Sequence, residues 1–190
     1  MFFGPNRLIL IFWSIFVLIW TIGALRGKPV TRRETTILQA SHGLFLAAAF
    51  SLLFLRITAV GPLGHYLLPN DEFTLAVGAG LTALGIAFAI WARIVLGGNW
   101  SSMVTVKENH QLICTGPYAL SRHPIYTGIL LAFLGTAIAG GTAGAFLGWL
   151  FAIVAFMRKS SIEERWMREH FGDDYDKYAR AVRYLLPFVW

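Results

Sequence analysis

Cysteine and charge are both scarce in this 190-residue chain. Cys114 stands alone, which excludes a disulfide framework and a thiolate metal site, and no metal is expected. Charged residues make up 14% of the sequence against 56% hydrophobic ones, with a mean hydropathy of +0.61. That is too little charge to clothe a soluble domain of this size. Also missing is a glycine-rich strand–turn–helix, so a soluble dinucleotide-type cofactor fold is not expected. Acidic residues number 10 against 16 Lys and Arg, giving a formal net charge of +6. The bases gather in short loops between apolar runs, the pattern of membrane orientation, so no nucleic-acid partner is expected. The first apolar run follows a single Arg7 and has no small-residue cleavage site, which predicts a retained span rather than a removed leader.

What is present is apolar sequence in long runs. Leu8 to Leu25, Ile37 to Val60 and Phe73 to Leu96 are each long enough to cross a hydrocarbon core of about 20 residues. Arg56, near the end of the second run, can snorkel to the interface. Gly78, Gly80 and Gly85 in the third run predict close helix–helix approach. Ile125 to Ile138 and Ala143 to Met157 are shorter and flank Ala139-Gly140-Gly141-Thr142, which predicts a tight helical hairpin. Basic residues follow the first run (Arg26, Lys28, Arg32, Arg33), the third (Arg93, Lys107) and the hairpin (Arg158, Lys159); the loop from Gly61 to Glu72 has none. This bias predicts an outside N-terminus, membrane lipid around the helices and polar segments collected on the cytoplasmic face. The fold class is therefore all-α: one integral membrane domain over 1–190, with about five transmembrane segments and a C-terminal hairpin, 1–72 holding the first two spans.

The densest polar stretch lies between the third run and the hairpin, Gly116-Pro-Tyr-Ala-Leu-Ser-Arg-His-Pro-Ile-Tyr-Thr-Gly128. Pro124 disfavours helix at His123 and suits a first helical turn, so Arg122 and His123 are expected at the mouth of a helix starting near Pro124. Titratable groups at that depth are costly and normally line a cavity or a site. The plainer reading is a basic pair touching lipid headgroups, with Tyr118 and Tyr126 as interface aromatics. Downstream, Ser161-Ile162-Glu163-Glu164 reads as an N-cap and acidic first turn. Phe171-Gly172-Asp173 breaks that helix, and Tyr175, Tyr178 and Val182 form an amphipathic stripe that Pro187 ends, giving a pair of cytoplasmic interfacial helices.

Taken together, His110-x-Leu-Ile-x-x-Gly116-x-Tyr118-x-x-x-Arg122-His-Pro-x-Tyr126-x-Gly128, an apolar hairpin, Glu163-Glu164 and Phe171-Gly-x-x-Tyr175-x-x-Tyr178 resemble the isoprenylcysteine carboxyl methyltransferases and their phospholipid N-methyltransferase relatives. The resemblance runs from Gly97 to Pro187, inside a family-like catalytic region of 73–190. It implies an S-adenosylmethionine-dependent membrane methyltransferase acting on a lipophilic small molecule or prenylated substrate. By matched position, His110, Leu112 and Ile113 would border the adenosine, while Gly116, Tyr118, His123 and Tyr126 would hold the rest of the cofactor. Arg122 and Glu163 or Glu164 would face the reacting centre as the catalytic residues. Aromatic faces at Tyr118, Tyr126 and Trp166 can stabilise a sulfonium by cation–π contact. A carboxylate acceptor would need only positioning, for which Arg122 offers a fork, whereas an amine would need a Glu as base. The residues leave both acceptors open, and a sterol-reductase-like enzyme using NADPH is a further alternative.

Overall fold

The computed structural model describes residues 7–24, 30–33, 36–55, 61–100, 105–107 and 112–185. His110, Arg56, Pro187 and Trp190 lie outside the described residues. Among the described residues, six α-helices carry the fold: α1 (Arg7–Ala24), α2 (Thr36–Phe54), α3 (Glu72–Leu96), α4 (Pro124–Gly140), α5 (Ala143–Phe171) and α6 (Asp173–Ala181). To the expected helices the structure adds a small antiparallel ribbon, in which β1 (Val30–Arg33) pairs with β2 (Thr105–Lys107). It ties the connection after α1 to the connection after α3.

Helices α3 and α4 form the centre of the bundle, and glycine is the reason they can. A Cβ on Gly78 would sit 2.6 Å from the carbonyl oxygen of Gly135, and one on Gly85 would sit 2.5 Å from that of Gly128. The two backbones therefore meet with no side chain between them, the arrangement small residues permit in an apolar setting. Gly80, expected to share this role, faces open space instead. One hydrogen-bonded node crosses the bundle: Trp13 Nε1 donates to Thr136 Oγ1 at 3.0 Å, and Thr136 Oγ1 lies 3.3 Å from Thr82 Oγ1. Each polar group of this node is thus partnered in the buried interior.

The helix ends follow the sequence signals in most places. Asp71 caps α3 through Thr74 N at 2.8 Å, and Gly97 ends it with φ 55°. Pro124 opens α4 with His123 as N-cap, as its ring geometry favours. One boundary differs. Ser161 does not cap a new helix, because α5 runs unbroken from Ala143 to Phe171, and the Ser161 hydroxyl donates instead to Met157 O at 2.7 Å inside it. Without a proline or glycine between Met157 and Glu163, nothing stops the helix. The apolar half of α5 thus passes rigidly into a polar half that carries Glu163, Glu164 and Arg168.

The two ends of the bundle are unlike. At one end the 65–68 segment pairs with the α4–α5 turn, Leu67 N to Gly141 O at 2.7 Å and Ala143 N to His65 O at 2.9 Å. At the other end lie the mouth of α4, the polar half of α5, and α6. Large apolar side chains such as Leu44, Phe73, Leu84 and Ile94 point outward, and α3 and α5 are long and apolar enough to cross a membrane.

Candidate active site

At that second end, a buried carboxylate organises its surroundings. Glu164 is 5% exposed and receives Arg122 Nε at 2.8 Å, Tyr175 OH at 2.7 Å, Arg168 Nη2 at 3.1 Å and a contact from His123 Nε2 at 3.2 Å. So many donors on two oxygens suit an ionised carboxylate, and each charge-assisted bond is stronger than a neutral one. Arg122 extends the network: its Nη1 donates to Ala179 O at 2.9 Å and Val182 O at 2.7 Å, and its Nη2 lies 3.4 Å from Glu164 Oε2. Four of its five N–H donors are therefore turned inward, toward Glu164, the last turn of α6 and the segment after it.

That segment closes over the central motif like a short strand. Arg122 N donates to Arg183 O at 2.8 Å, His123 N to Tyr184 O at 3.3 Å, and Thr127 Oγ1 to Leu185 O. Ser121 Oγ, fully buried, lies 3.0 Å from Tyr184 O. Tyr178 OH donates to Tyr118 O at 2.7 Å, pinning the turn Gly116–Ala119. The buried Tyr175 and Tyr178 phenols are held above their ordinary range by desolvation and nearby charge, so both stay protonated donors.

In front of Glu164 lies a cavity of about 390 Å³. Glu163 lines it and Glu164 does not; Glu163 accepts from Tyr126 OH at 2.5 Å, and its Oε2 lies 3.5 Å from His123 Nδ1. The His123 ring stacks on Tyr126 with 5.6 Å between centroids and 6° between planes. Burial alone would lower the His123 pKa, but its contacts with Glu163 and Glu164 outweigh that and raise it, favouring the imidazolium. Lys159, one turn before Glu163, places its Nζ 5.7 Å from the Tyr126 ring. Deeper along α4 the cavity is walled by Trp13, Phe50 and Phe133, which pack edge-on against one another. One end thus carries charge of both signs among aromatic rings, with Glu163 beside Arg122, His123 and Lys159, and the other is oily.

Of the residues expected at the site, Leu112, Ile113, Tyr118, Arg122, His123, Tyr126 and Glu163 line this one cavity. Gly116 stands outside it, at φ 60°, where a Cβ would meet Val95 at 3.5 Å, and it serves the turn that presents Tyr118. His110 is outside the described residues. Sequence reasoning passed over Arg168, Lys159, Tyr184 and His42, the last of which lines the cavity with its Nδ1 3.3 Å from Ala155 O. Only Arg168 carried a local signal, its i+4 spacing from Glu164.

Residues 73–174 match the phospholipid methyltransferase family. A probable protein-S-isoprenylcysteine O-methyltransferase of Oryza sativa subsp. indica is 29% identical over 124 residues, which cover 62% of this chain and 63% of the rice protein. The Schizosaccharomyces pombe protein-S-isoprenylcysteine O-methyltransferase is 32% identical over 115 residues, covering 58% of this chain and 48% of its own length. The chain thus spans between about half and two thirds of the length of these relatives. The solved structure of the eukaryotic intramembrane Ras methyltransferase, isoprenylcysteine carboxyl methyltransferase, superposes with a TM-score of 0.58 at 24% identity, over 81% of this chain and 52% of that one. It shares the fold, with the apolar exterior of an integral membrane protein. The match over more than half the chain encloses α3, α4, α5 and the Arg122–Glu163–Glu164 cluster, and by it the chain belongs to the phospholipid methyltransferase family.

Proposed function

We propose that the chain is an S-adenosylmethionine-dependent methyltransferase that methylates the carboxylate of an isoprenylcysteine-like amphiphile. The observation that carries this is the two-ended cavity, charged and aromatic beside His123 and oily beside Phe133. The donor set suits a cationic cofactor: the Glu163 carboxylate and the aromatic side chains of Tyr118, Tyr126 and Trp166 all line it. When bound, S-adenosylmethionine supplies an electrophilic methyl group on a cationic sulfur, and transfer to a carboxylate needs no base.

The protein's part is then positioning and exclusion of water, which suits a reaction in which charge is neutralised. Glu163, fixed by Tyr126 and His123, holds negative charge at the cofactor end. Arg122 acts chiefly through Glu164, keeping the 182–185 segment closed over the site. This replaces the expectation of an open Arg122 fork and makes Glu164 a positioning residue. A phospholipid or other amine acceptor is the second reading, favoured by the family match and by Glu163 as the carboxylate that could take its proton. The membrane arrangement that fits is five segments, including the α4–α5 hairpin, with the outside face at the 61–72 loop and the site toward the cytoplasm. Labelling of Asn70→Cys only from the cytoplasmic side would reverse it.

The test is thermal unfolding of the purified chain with S-adenosylhomocysteine or NADPH, followed by methyl transfer to an isoprenylcysteine and to a phospholipid amine. A ligand at 100 times its dissociation constant should add about 2.7 kcal/mol. Stabilisation by NADPH and not by S-adenosylhomocysteine would replace the methyltransferase reading with a reductase.

A further inference from the structure

We infer that Trp13 is the end wall of the oily chamber and sets the length of apolar tail the acceptor can carry; this rests on the chamber being the acceptor site. Trp13 is 5% exposed and lines the cavity on the side away from Glu163. Its indole stands edge-on to Phe133 at 5.0 Å and Phe50 at 5.1 Å between centroids. His123 caps α4 and Phe133 lies ten residues further on, so at 1.5 Å per residue the aromatic wall is about 15 Å deeper than the charged end. A tail leading away from Glu163 along α4 therefore meets the indole after about that distance.

The wall is fixed rather than compliant. The indole N–H donates to Thr136 Oγ1, and Thr136 in turn donates to Ala132 O at 2.8 Å. Swinging Trp13 aside would strand a polar donor among apolar side chains, which is costly. Edge-to-face contacts with Phe16, Phe50, Phe54 and Phe133 hold the ring from several sides. A leucine or methionine wall would yield to a longer tail by changing rotamer, whereas this one excludes it. The acceptor class is then an amphiphile whose tail fits within the chamber, and discrimination falls at its distal end.

The experiment uses the full chain in phosphatidylcholine nanodiscs with N-acetylcysteines carrying S-geranyl, S-farnesyl or S-geranylgeranyl tails. Methyl transfer and thermal stabilisation in the presence of S-adenosylhomocysteine are both read. Wild type should discriminate against the longest tail. Trp13→Ala should raise the geranylgeranyl-to-geranyl ratio of kcat/KM and of binding by about tenfold, since the added methylenes become buried. Ile129→Phe, which narrows the same cavity midway without leaving a void, should shift preference toward geranyl. If Trp13→Ala does not fold, Ile129→Phe decides. Unchanged ratios in variants that still bind S-adenosylhomocysteine would overturn the wall, as would binding of no tail by wild type. If the variants shift the tail preference in binding but wild type methylates none of the three, the wall stands and the carboxyl-methylation reading falls.

Discussion

Adjacent glutamates at 163 and 164 look interchangeable in the sequence, yet they have opposite duties. Glu164 is sunk beneath Arg122, Arg168, His123 and Tyr175, while Glu163 looks into the cavity. Glu164→Ala strands several buried donors and should cost about 3–5 kcal/mol of stability. Glu163→Gln should keep the thermal midpoint near wild type and lose S-adenosylhomocysteine affinity; calorimetry and thermal unfolding on both variants check the pair. His123 gives the pH dependence. Its pKa is raised in the folded state, so its stabilisation is complete below its unfolded value of about 6.5 and is lost as pH rises through the higher folded value. The thermal midpoint of wild type should fall as pH climbs above about 6.5, and His123→Gln should flatten that fall. The cluster was legible through the joint motif that resembles the methyltransferases, because Arg122, His123, Tyr126 and the glutamates each also read, taken singly, as interface or solvated residues. Which glutamate faces the cavity was not legible, since helical phase alone leaves two neighbours 100° apart and only packing decides which one is covered.

At the scale of the element, the same contrast separates glycines. Gly135→Ala thrusts a methyl group into the backbone of α3 beside Thr82 and should destabilise by about 1–3 kcal/mol. Gly80→Ala, on α3 with open space around it, should be neutral or slightly stabilising through helix propensity. Unfolding in detergent compares the two, and equal effects would count against the glycine interface. Helix existence and the stops at Gly97, Gly141 and Gly172 follow from apolar runs and from glycine's ease at positive φ. The ribbon of β1 and β2 does not follow from them. Two short polar segments more than seventy residues apart carry no local sign of their pairing, which belongs to tertiary structure. The unbroken α5 is the other surprise, because Ser161 offers a capping side chain where the chain has no reason to stop.

For the whole molecule, the bundle and the site are held by different parts of the chain. The helix pairs α3–α4 and α2–α5 make the scaffold, Gly148 of α5 passing so close to α2 that a Cβ would lie 2.8 Å from Ala49 O. The site instead depends on Val182, Arg183, Tyr184 and Leu185, whose carbonyls hold Ser121, Arg122, His123 and Thr127. A chain truncated after Ala181 should insert and stay helical by circular dichroism but should not bind S-adenosylhomocysteine; retained binding would remove this segment from the site. During biosynthesis the ribosome delivers α1 through α5 first, and the 182–185 segment reaches the mouth of α4 only after all of them. A nascent chain that has delivered only α1 through α5 is therefore a scaffold with an unlatched site, and emergence of the 182–185 segment is the step that can close it.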